Sequence, residues 1–108
     1  RDTPEHLKEY INYFNNDFIA ITGKNNTEID KLSTPIGATY DYEDTKTSEP
    51  IRDMSILSKD REYIVNHFAG IYIINPSASV SAVVSPPHDA ERFTKIFTII
   101  RRAYIKNN

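Results

Sequence analysis

The three histidines have the widest chemical reach in this 108-residue chain. Imidazole is the commonest metal ligand and the side chain that titrates nearest neutrality. His6 falls in the first turn of a helical pattern and reads as a solvated side chain. His88 follows Pro86-Pro87 and adjoins a helix cap, where a capping or loop role fits. His67 stands apart: it follows Tyr63-Ile64-Val65-Asn66 and precedes an apolar hairpin, at a strand-to-loop junction. One imidazole cannot hold a metal, so any co-ligands would come from elsewhere. The chain has no cysteine, which excludes disulfides, thiolate metal sites and thiol catalysis within it. The acidic stretch from Asp41 to Asp53 lacks the glycine and ligand spacing of an EF-hand and reads as a solvated face. No Gly-x-Ser-x-Gly elbow, phosphate-cradling glycine loop or His-Glu-x-x-His is present. Asn25-Asn26-Thr27 matches an N-glycosylation sequon, which matters only in a eukaryotic secreted protein.

The elements that must position these residues follow from spacing. Thr3 caps a first helix with Pro4 at its first position and Glu5 in its first turn. Leu7, Tyr10, Ile11 and Phe14 recur on one helical face, and Asn15-Asn16-Asp17 ends it. Phe18-Ile19-Ala20-Ile21-Thr22 is a short run apolar on both faces, which predicts a buried strand closed by Gly23. Thr27 is expected to cap a short second helix with Ile29 and Leu32 facing inward, ended or distorted by Pro35 and Gly37. Tyr40–Arg61 is polar and irregular and reads as a long surface loop, a candidate for partner contact. Residues 62–66 predict a strand, and 70–74 and 80–84 a hairpin about the turn Asn75-Pro76-Ser77-Ala78. Asp89 caps a last helix with Glu91 in its first turn and Phe93, Ile96, Phe97, Ile100 and Tyr104 on its apolar face. The expected order is α-β-α-loop-β-β-α. A buried strand needs neighbours on both sides, and one hairpin is all that is available to supply them.

Composition narrows the class. At 39% hydrophobic and 26% charged the chain is an ordinary globular domain, too apolar for disorder. Its 13 basic and 15 acidic residues leave a net charge of -2, which argues against broad attraction to nucleic acid or anionic lipid. The 7 tyrosines and 5 phenylalanines fall mostly at core spacings, so no base-stacking platform is indicated. No apolar run approaches the roughly 20 residues that span a bilayer. The first residue is Arg1 and no signal peptide is present, so the expectation is a start inside a longer protein.

Three ordered blocks resemble one known family. Arg1-Asp2-Thr3-Pro4-Glu5, Leu7-Lys8-Glu9-Tyr10 and Phe18-Ile19-Ala20-Ile21-Thr22-Gly23 resemble the middle of the Sco/SenC family. There a strand ending in Asp-Pro leads into an Arg-Asp-Thr-Pro helix start and then a Phe-Ile-Gly-Leu-Thr-Gly strand. Tyr63-Ile64-Val65-Asn66-His67, followed by Ile71-Tyr72-Ile73-Ile74-Asn75-Pro76, is similar to the family's Tyr-x-Val-Asp-His and Tyr-Leu-Ile-Asp-Pro blocks. Ser85-Pro86-Pro87-His88-Asp89-Ala90 looks like the helix start of bacterial members.

The resemblance implies an α/β, thioredoxin-like fold, with residues 1–108 as its C-terminal part and the N-terminal strands and Cys-x-x-x-Cys helix lying upstream. It implies a copper metallochaperone that helps assemble the dinuclear copper centre of cytochrome c oxidase and is not an enzyme. Copper, as Cu(I) or Cu(II), is held in the family by two cysteines and one distant histidine, which His67 matches. Thiolates select Cu(I), and an added imidazole also supports Cu(II). The cysteines are absent from this chain, so weak or no copper binding is expected of it alone. The implied partners are the copper subunit of the oxidase or other copper chaperones. The implied location is the periplasmic face of the bacterial inner membrane, through an upstream anchor, or alternatively the mitochondrial inner membrane. Two departures stand out. Asn66 replaces the family's frequent aspartate, and Pro35 falls within the expected second helix. The competing reading is a thioredoxin-like thiol-disulfide oxidoreductase or peroxiredoxin-like enzyme. Such an enzyme tends to carry a cis-proline before the corresponding strand, and Asn66-His67-Phe68-Ala69 contains none.

Overall fold

A computed structural model describes residues 3–57 and 62–108. The chain divides into two compact units, Arg1–Asn66 and His67–Asn108.

In the first unit, helix α1 runs over Pro4–Asn12. Thr3 caps it as expected, its hydroxyl accepting from the His6 backbone N–H at 3.2 Å, with Pro4 at the start. The helix ends earlier than its apolar spacing predicts. The Phe14 and Asn15 N–H groups both fall on the Ile11 carbonyl, a tightened last turn, and Asn15 then closes onto the Asp17 N–H. The strand expected at 18–22 does not form. A strand exists through its neighbours' hydrogen bonds, and among the described residues none pairs with this segment. Phe18, Ile19 and Ile21 consequently stand 58%, 86% and 79% exposed.

Helix α2 spans Asn26–Ser33. Its cap is Asn25, not Thr27. The Asn25 side chain accepts from the Glu28 N–H at 3.0 Å, and the Glu28 carboxylate reaches back to the Lys24 N–H at 2.8 Å. Asparagine is the stronger cap, and the glutamate three residues on reaches one residue before it, a variant of the capping box. Pro35 lies past the helix, not inside it. Thr34 closes the helix, and Gly37, at φ +72°, makes the left-handed turn that lets the Ala38 N–H reach the Ser33 carbonyl.

The expected loop from Tyr40 is also corrected, because its first part is strand β1, Tyr40–Asp44. It pairs with β2, Tyr63–His67. Contacts between Thr45 and Glu62 and between Glu43 and Asn66 make the pairing antiparallel. Tyrosines alternate with acids along β1, and Tyr40, Tyr42 and Tyr63 form an edge-to-face row with centroids 5.9 and 5.4 Å apart. The Tyr40 hydroxyl donates to the Asp30 carboxylate on α2. After β1 the chain doubles back. The Asp44 carboxylate accepts the Lys46 and Thr47 N–H groups, Glu43 bridges Pro50, and Ile51 is buried. A single 3-10 turn over Met54–Ile56 follows, capped by Asp53. The Ser55 hydroxyl and N–H hold the Asp53 carboxyl below its usual range. The remainder of the expected loop, residues 58–61, lies outside the described residues.

The second unit holds the hairpin of β3, Ile71–Ile74, and β4, Val80–Val84, in the expected places. The register pairs Ile71 with Val84 and Ile73 with Ala82, and slips between Ile73 and Ile74. In the turn, the Asn75 side chain accepts the N–H groups of Ser77 and Ser79. Ile73 and Val84, 8% and 5% exposed, form the hairpin's buried side. Helix α3, Ala90–Asn107, starts at Asp89, whose carboxylate accepts from the Arg92 N–H at 2.7 Å. Phe93, Ile96, Ile100 and Tyr104 are half-buried along it, while Phe97 stacks on Phe93 and stays exposed. The described fold is thus mixed α/β, with three α-helices and two two-stranded antiparallel sheets among the described residues.

Candidate metal centre

His67 is the last residue of β2 and stands four residues before the hairpin opens. Its imidazole is exposed. The ring Nδ1 lies 3.3 Å from the carbonyl oxygen of Phe68. A carbonyl oxygen only accepts, so Nδ1 carries the proton in that contact. In the neutral ring the Nε2 lone pair is then left facing solvent, the tautomer that binds a metal through Nε2.

Asn66 does not orient this ring. Successive strand side chains project to opposite faces. Asn66 spends its amide within the β1–β2 sheet, donating Nδ2–H to the Glu43 carboxylate at 2.9 Å. An amide here also explains the departure from aspartate, since a second carboxylate would sit against Glu43 without a proton to share.

The other two histidines are placed apart in role. His6 is exposed in the first turn of α1. His88 is exposed beside the α3 cap, and its Nε2–H donates to the carbonyl of Ala69. That contact was not legible in the sequence, because 19 residues separate its ends. Glu43 was likewise missed. Its signal was the alternation of tyrosine and acid in 40–43, which marks a strand face, not a loop.

Among the described residues no three His, Cys, Asp or Glu side chains converge as a metal-binding group. What the arrangement offers is one accessible imidazole with its lone pair presented, a single position of a coordination sphere.

Fold and site together define a mixed α/β protein with a ligation-competent histidine at a strand end. The sequence model of the SCO1/SenC family matches residues 1–101, and the chain belongs to that family. It is also similar to a Stutzerimonas stutzeri protein named "Putative copper-binding protein", with 25% identity over 87 residues. The match covers 81% of this chain and 36% of that relative, so the chain spans about a third of the relative's length. No solved structure matches significantly.

Proposed function

We propose that this chain is the C-terminal part of a thioredoxin-like copper metallochaperone that serves assembly of the dinuclear copper centre of cytochrome c oxidase. His67 supplies one copper ligand through Nε2. Two thiolates of a Cys-x-x-x-Cys segment, on residues that precede the chain, supply the others. The single observation carrying the reading is the exposed His67 ring, its Nδ1 against the Phe68 carbonyl, in a chain of the SCO1/SenC family. The copper-binding name of the S. stutzeri relative agrees with it. The unpaired apolar segment 18–22 supports the larger domain, because upstream strands would complete its hydrogen bonds.

Chemically, the thiolates retain Cu(I) and the imidazole extends the site to Cu(II). The role is binding and transfer, not catalysis. No helix of the described residues is long and apolar enough to cross a membrane. In this reading attachment to the periplasmic face of the inner membrane falls to an upstream segment, and the partner is the copper subunit of the oxidase.

The test is copper titration of the full-length protein with and without His67→Ala. The substitution should abolish or strongly shift the Cu(II) absorption while leaving Cu(I) binding largely in place. Unchanged Cu(II) absorption and affinity would sink the assignment. The 108-residue chain by itself should bind copper weakly, since it holds one ligand of three.

A further inference from the structure

The loop that carries His67 is tied at three points. His67 donates Nδ1–H to the Phe68 carbonyl. The Phe68 ring folds over Gly70 so closely that a Cβ at position 70 would lie 2.1 Å from its Cε1. That ring also meets Tyr72 of β3 edge-to-face at 6.3 Å. Both ties are local. The third comes from far along the chain, where the His88 imidazole donates Nε2–H to the Ala69 carbonyl.

His88 is itself well held. Its neighbour Asp89 caps α3 through the Arg92 N–H at 2.7 Å. The Arg92 guanidinium donates to the Pro87 carbonyl at 3.1 Å. The residues on both sides of His88 are therefore bonded to the first turn of an 18-residue helix. Ala69 lies two residues from His67, so the bond passes the rigidity of that helix start to the loop bearing the ligand position.

We propose that His88 is a positioning residue for His67, anchoring the 67–70 loop to the start of α3 so that Nε2 stays presented for copper. The inference rests on the reading of His67 as a copper ligand. Without the His88 bond the loop keeps only its two local ties, so the Phe68 carbonyl is held less firmly against the His67 Nδ1–H.

Full-length protein with His88→Ala should lose about 10-fold in Cu(II) affinity and show a broadened Cu(II) spectrum, as for partners that act behind a metal ligand. His88→Gln, whose amide N–H reaches the same carbonyl, should restore most of the loss. In metal-free protein above neutral pH, long-range nitrogen–proton spectra of the imidazoles should show His67 protonated at Nδ1. The same spectra should show a tautomer mixture in His88→Ala, with unchanged far-ultraviolet circular dichroism. An unaltered tautomer and unaltered Cu(II) affinity in His88→Ala would overturn the proposal. If instead His67→Ala leaves Cu(II) binding intact, the ligand reading fails. The metal-free spectra then decide the role of His88 alone.

Discussion

At the residue scale, two side chains show how one hydrogen bond selects a protonation state. At His67 a backbone carbonyl beside Nδ1 favours the proton there, the form that leaves Nε2 open. At Tyr40 the neutral phenol donates to the Asp30 carboxylate, which pushes its pKa from 10.0 up to about 12. The bond needs the protonated phenol, and ionisation would set two negative charges together. The folded value is the raised one. Stability from the bond is therefore complete below pH 10.0 and lost as pH rises through about 12. Spectrophotometric titration of phenolate absorbance should show one late-titrating tyrosine, returned toward its ordinary value by Asp30→Asn. A wild-type titration without the late component would refute the contact.

At the element scale, the β1–β2 sheet depends on complementary pairs on one face. Asn66 and Glu43 are such a pair, and both side chains lie near water. Asn66→Asp replaces an amide–carboxylate bond with two facing carboxylates, which should cost about 1 kcal/mol near neutral pH. Denaturant unfolding at neutral pH checks the cost. Equal stability of the two proteins at neutral pH would mean the pair contributes nothing.

At the scale of the whole molecule, little apolar surface is covered. The buried hydrophobic residues among those described are Ile51, Ile73 and Val84. Tyr10, Tyr13, Phe14, Phe18, Ile19 and Ile21 are exposed in succession. A groove between α1 and the extended segment, lined by Leu7, Ile11, Ala20 and Ile21, belongs to the same surface. In the larger domain proposed above, this surface is the face on which upstream strands pack. The 108 residues alone should bind a hydrophobic dye and unfold with a shallow denaturant slope. Joining them to the preceding residues of the full-length protein should suppress the dye signal and steepen the slope. A dye-silent, steeply unfolding 108-residue chain would contradict the larger domain.

The local features were legible in the sequence. The Thr3 and Asp89 caps, the hairpin about Asn75 and the stripe of α3 depend on residues within a few positions of one another, where chain geometry alone sets the contact. Family membership was legible for a related reason, since ordered short blocks survive in the residues themselves. What failed was pairing. Residues 18–22 have strand composition but no partner among the described residues, whereas 40–44 look like a loop and are a strand because β2 meets them. Hydrogen bonds between distant segments made that difference, as they did for Glu43 with Asn66 and for His88 with Ala69. The sequence alone therefore singled out His67 as the candidate ligand position. Tertiary structure decided what steadies its loop, because the bond from His88 to the Ala69 carbonyl joins residues 19 apart that only the folded chain brings together.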